Sequence, residues 1–119
     1  MHKVLIIEDD EELCSLVAEA FRLEKFEAYR ATSVENAINI LSEKKIDLVF
    51  ADIVLNDKKS TDYIKDMFKL NDNLKIIFTS AHYDLVKKEN IAERKRIIAI
   101  SKPYDIEKVI LSAKEMLLK

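Results

Sequence analysis

Five short apolar runs, each followed by a stretch of helical periodicity, limit what this chain can become. The runs are KVLII (Lys3 to Ile7), FEAYRA (Phe26 to Ala31), IDLVFAD (Ile46 to Asp52), LKIIFTS (Leu74 to Ser80) and RIIAIS (Arg96 to Ser101). Continuous rather than alternating apolar runs are the mark of strands covered on both faces, as in parallel sheets. Between them, apolar residues recur at helical spacing. Leu13, Leu16, Val17, Ala20 and Phe21 form one such face, with Asp10 placed as its N-cap. Thr32 and Glu35 have capping-box spacing ahead of Val34, Ala37, Ile38 and Leu41. Tyr63, Ile64, Met67 and Phe68 mark a third helix, and Asp84 to Glu93 a weaker one with few apolar anchors. The last helix carries Ile106, Val109, Ile110, Ala113, Met116 and Leu117, with Asp105 as N-cap. Five β-α units imply a parallel sheet with helices on both faces, because each crossover is right-handed.

The chain contains no glycine. Turns that need positive φ must therefore use Asn or Asp, and Asn56-Asp57 and Asn71-Asp72-Asn73 are placed to do so. The same absence excludes the Gly-rich loops of Walker-type and dinucleotide-binding sites. At 119 residues the chain suits one domain, 1–119. A net charge of −2 supplies no basic field for nucleic acid or an anionic membrane, and Arg94-Lys95-Arg96 reads as solvated surface. One cysteine, Cys14, excludes an intrachain disulfide and a cysteine zinc site, and favours a reducing compartment. With neither a signal peptide nor a membrane-length apolar run, a cytoplasmic location is the expectation.

Asp52 sits between the apolar runs Leu48-Val49-Phe50 and Ile53-Val54-Leu55. A carboxylate in such surroundings costs several kcal/mol unless it is paired, protonated or metal-bound. In open parallel sheets, chemistry gathers beyond the carboxyl ends of the strands. Those ends hold Glu8-Asp9-Asp10, Asp52, Thr79-Ser80 and Ser101-Lys102-Pro103. They become neighbours if the first, third, fourth and fifth strands are central. Two carboxylates about 4 Å apart repel by roughly 4 kcal/mol at an effective dielectric near 20. Three or four acids at one sheet edge thus call for a cation, and oxygen ligands favour a hard one such as Mg²⁺. A lysine and a hydroxyl opposite suit an anion. Together they describe a phosphoryl-transfer site around a nucleophilic carboxylate.

VLIIEDDEEL, DLVFADIVL, IIFTSAH and ISKPYDIEKV resemble, in order and separation, the signature segments of bacterial response-regulator receiver domains. The resemblance implies an α/β, doubly wound (βα)5 flavodoxin-like sandwich with a five-stranded parallel sheet of order 2-1-3-4-5. It implies Asp52 as phosphoacceptor. Mg²⁺ would be held by Asp9, Asp52, the Val54 main-chain carbonyl and, through water, Glu8. Ser80 and Lys102 would hold the phosphoryl group, and Lys102-Pro103 would be a cis peptide. His82 would lie at a rim that modulates dephosphorylation. The implied partners are a histidine kinase or histidine phosphotransferase and a downstream protein. The segments also resemble, more faintly, single-domain receivers of the alphaproteobacterial cell-cycle type, for which that downstream protein is protease machinery. Nucleic acid and membrane are not expected partners, and a monomer or weak dimer is the expected state. Such a chain catalyses only its own phosphorylation and dephosphorylation.

Departures from the family pattern are specific. Asn56 stands at the usual proline, Ser60 at a usual glycine, and Ala99 at the aromatic switch position. Two rivals compete with this reading. A phosphatase of the haloacid-dehalogenase type would want a second acid two residues after Asp52, where Val54 stands. A pseudo-receiver that binds partners without phosphorylation would not need its acids, hydroxyl and lysine complete. The output expectation is that phosphorylation alters the order of residues 82–95, since Ala99 has no ring to swing.

Overall fold

Each of the five long apolar runs becomes a strand in the computed structural model, which describes residues 1–81 and 96–118. In chain order the elements are β1 (Lys3–Ile7), α1 (Glu11–Leu23), β2 (Glu27–Ala31), α2 (Val34–Glu43) and β3 (Leu48–Asp52). A small hairpin of β4 (Val54–Leu55) and β5 (Lys58–Lys59) follows, then a 3-10 turn (Ser60–Tyr63) and α3 (Ile64–Leu70). β6 (Lys75–Ser80), β7 (Ile97–Ser101) and α4 (Ile106–Leu118) complete the described chain. The Asp84–Glu93 helical pattern, His82 and most of the Arg94–Arg96 cluster lie outside the described residues.

The long strands form one parallel sheet of order β2-β1-β3-β6-β7. Counted without the hairpin, this is the expected 2-1-3-4-5. Leu5, Ile7, Val49, Ala51, Ile76 and Phe78 join the core layer beneath α2 and α3. Val4, Ile6, Leu48, Phe50 and Ile77 join the other, beneath α1 and α4. Both sides of β1, β3 and β6 are therefore dry, which is why these runs are apolar without alternation.

Two helix readings need correction. Leu16, read as part of the buried face of α1, is 68% exposed. The buried residues are Cys14, Val17, Ala18 and Phe21, which also have helical spacing. Small Cys14 and Ala18 seat that face close to the sheet, and the Cys14 thiol donates to the Ile6 carbonyl at 3.8 Å. The N-cap of α2 is Ser33, whose hydroxyl accepts from the Asn36 amide, and not Thr32. The Thr32 carbonyl is engaged by the Asn56 side chain, and Glu35 pairs with Lys58 instead of reaching back to the cap. Asp10 caps α1 as expected, accepting from the amides of Glu12 and Leu13.

Without glycine, three other residues among those described take positive φ: Lys25 (70°), Asn56 (49°) and Asp57 (67°). Asn56-Asp57 is the anticipated turn, whereas Asn71 instead accepts from the Asn73 amide in an Asx turn. Lys25 closes a Schellman motif on α1. Its amide donates to Arg22, and the Phe26 amide donates to Phe21, each at 3.0 Å. Phe26 then meets Phe21 edge-on at 5.0 Å. A left-handed non-glycine residue costs about 1–2 kcal/mol, part of which glycine returns as chain entropy. Lys25→Gly is thus expected to stabilise the protein by about 0.5–1 kcal/mol in urea unfolding. Equal or lower stability would show that Lys25 is not strained.

Candidate functional site

Strand register sets this site. Asp52 ends β3 in register with Thr79 of β6, and Ser80 ends β6 in register with Ser101 of β7. The main chain continues this alignment past the strands, with Ile53 N–H donating to Thr79 and Lys102 N–H to Ser80. Glu8 and Asp9 leave β1 on the other side of β3, which pairs with β1 through Ile7 and Ala51. The carboxyl edge of the sheet thereby gathers Glu8, Asp9, Asp52, Ser80 and Lys102.

Asp52 and Lys102, fifty residues apart, meet directly: Nζ donates to Oδ2 at 2.7 Å. Their side chains are 14% and 25% exposed, so the pair is shielded without being dry. The other Asp52 oxygen, Oδ1, lies 3.4 Å from the Val54 amide. Asp9 Oδ2 accepts from the Asn56 amide at 3.2 Å. Ser80 is buried, Ala99 lies half-buried in register with Phe78, and the Lys102–Pro103 peptide is cis.

Burial pushes the Glu8 carboxyl up to about 7; Lys102 opposes this, while Asp52, Asp9 and Asp10 add to it. Burial works against the Lys102 charge, yet its hydrogen bond to Asp52 and the nearby carboxylates hold the ammonium above its usual range. The Tyr104 phenol is likewise raised, chiefly by burial, within the fields of Lys102, Glu8 and Asp52. Its ring stands edge-on to Phe50 at 5.7 Å.

The expected cluster of three or four acids is looser than anticipated. Among the described residues no three of His, Cys, Asp and Glu are grouped to hold a metal. Asp10 is committed to capping α1, and Asp52 to Lys102. This still suits Mg²⁺, which takes one or two carboxylates and fills its octahedron with water and phosphate oxygens. The donors here are hard oxygens, and a bound cation would relieve the carboxylate repulsion that adds to the effect of burial on Glu8.

Three residues outside the original set also shape the edge. Tyr104 flanks the charged groups, and the Ser60 hydroxyl donates to the Asp52 main-chain carbonyl at 2.6 Å. Asn56 reaches Asp9. Ser60 and Asn56 are two of the positions where the chain departs from the receiver pattern. The departures are visible in the sequence; their contacts depend on a hairpin that the sequence pattern presents as a plain loop.

An open parallel α/β sheet with a lysine-paired aspartate and further acids at its carboxyl edge defines a class of phosphoacceptor-like modules. Residues 4–114 match the response regulator receiver domain, and the chain belongs to that family. It is a module of two-component signalling. It is 24% identical to sporulation initiation phosphotransferase F of Bacillus subtilis (strain 168), over 97% of this chain and 93% of that protein. It is 31% identical to the transcriptional regulatory protein CpxR of Escherichia coli (strain K12) over 71% of this chain, but that match spans 36% of CpxR. Its fold is that of the response regulator protein TrrA from Thermotoga maritima, solved in complex with Mg(2+)-BeF. The TM-score is 0.83 at 19% identity, over 98% of this chain and 99% of that one. The phosphatase and pseudo-receiver readings are not favoured by these likenesses.

Proposed function

We propose that Asp52 accepts a phosphoryl group from the phosphohistidine of a histidine kinase or histidine phosphotransferase. The observation that carries this is the 2.7 Å contact between Lys102 Nζ and Asp52 Oδ2 at the sheet's carboxyl edge. An Asp52 oxygen forms a bond to phosphorus as the nitrogen–phosphorus bond of the donor breaks. The electron pair stays on the imidazole nitrogen, and Asp52 becomes an acyl phosphate. Mg²⁺, held by Asp9, Asp52, the Val54 carbonyl and Glu8 through water, would neutralise charge on the incoming group. Lys102 transfers its hydrogen bond from Asp52 to a phosphoryl oxygen, and the Ser80 hydroxyl donates to another.

Domain extent 1–119, a cytoplasmic location and signalling through a downstream protein partner, protease machinery included, belong to the same reading. So does a chain that acts on no substrate but its own acyl phosphate. Ala99 carries no ring to report the event, so the output is assigned to the 82–95 segment, His82 included, which lies outside the described residues.

Beryllofluoride, a phosphoryl mimic, tests the assembled site. With Mg²⁺, fluorine NMR is expected to show bound resonances on the wild type, lost on chelation and strongly weakened in Lys102→Ala. A wild type with no bound resonance at saturating Mg²⁺ would overturn the reading.

A further inference from the structure

The β4–β5 hairpin does more than connect β3 to α3. Val54 pairs with Lys59 and Leu55 with Lys58, and both turn residues, Asn56 and Asp57, are left-handed. That is the primed turn geometry favoured by tight hairpins. It directs the Asn56 amide to Asp9 Oδ2 at 3.2 Å. The Asn56 side chain anchors the same turn by donating Nδ2–H to the Thr32 carbonyl at 3.2 Å. Lys58 pairs with Glu35 at the start of α2, and the Ser60 hydroxyl donates to the Asp52 carbonyl. The hairpin is thereby fastened to Asp9, to the start of α2 and to the end of β3.

We infer that Asn56 is a positioning residue for the cation site, orienting Asp9 through its main-chain N–H. This rests on the reading of Asp9 as a Mg²⁺ ligand. A carboxylate accepts on two oxygens, so Oδ2 can keep the amide while Oδ1 faces a cation. Groups that hydrogen-bond to metal-ligating carboxylates commonly alter metal affinity by about 10–100-fold. The proline usual at this position in the family has no N–H and a fixed negative φ, so it can supply neither the bond nor the turn. Asn56 and its left-handed partner Asp57 replace it with a donor aimed at Asp9.

Magnesium titration followed by backbone-amide NMR tests this on three proteins. The wild type is expected to bind tightest. Asn56→Gly retains the N–H and the left-handed turn but loses the Thr32 anchor, so its dissociation constant should rise by a few-fold. Asn56→Pro should weaken binding by about tenfold or more. Urea unfolding in chelator separates loss of affinity from loss of fold. Wild-type affinity in Asn56→Pro, or equally weak binding in both variants, would overturn the inference, since the N–H would then not be the group that matters. If Asn56→Pro does not fold, amide exchange in metal-free protein decides. The Asn56 amide should be protected in the wild type and exposed in Asp9→Ala, and an unprotected wild-type amide would refute the bond. A wild type that binds no Mg²⁺ but protects this amide would instead refute the cation reading and leave the contact standing.

Discussion

Phe21→Ala is expected to destabilise the protein by about 3–5 kcal/mol, the usual cost of removing a fully buried phenylalanine. Phe21 has no exposed surface, and it sits where three devices meet. Its ring lies 5.0 Å from Phe26 and 6.2 Å from Phe50, and its carbonyl accepts the bond that closes the Schellman motif. Phe50 in turn meets Tyr104, so this ring cluster reaches from the end of α1 to the flank of the charged site. Alanine would leave a void with rigid walls on the sheet side and would remove the contact that fixes the entry to β2. Against a typical total of about 5–15 kcal/mol, this is a large fraction of stability. Thermal unfolding should fall by roughly 10–20 °C. Leu23→Ala on the same helix, at a position 71% exposed, should stay within about 0.5 kcal/mol of the wild type. Comparable losses for the two would mean that α1 is not held by the face described.

The sheet was legible because its central strands are dry on both sides: a run such as Leu48-Val49-Phe50-Ala51 has no polar face to present. The site was legible for a related reason. Acids and a lysine at the ends of apolar runs have no packing role, so their chemistry stands out. What stayed hidden depends on competition between neighbours. Leu16 and Phe21 lie in the same helical pattern, and only packing against the sheet chose the face built on Cys14 and Ala18. Thr32 lost the N-cap to Ser33, and its own carbonyl accepts from Asn56, a residue twenty-four positions away. The hairpin itself is two residues per strand, too short for any periodicity to reveal. Its turn pair was readable from the lack of glycine, but its target, Asp9, was not.

Asp52→Asn is expected to abolish phosphorylation outright. The amide is nearly isosteric and can still accept a hydrogen bond from Lys102, but its oxygen is a poor nucleophile and forms no stable acyl phosphate. Asp52 is the acid in direct contact with the site's lysine. The most direct measurement is intact mass after incubation with a small acyl-phosphate donor and Mg²⁺, with and without hydroxylamine. The account predicts one phosphoryl adduct on the wild type, removed by hydroxylamine, absent after chelation and absent from Asp52→Asn. An adduct of equal yield and equal hydroxylamine sensitivity on Asp52→Asn would contradict it.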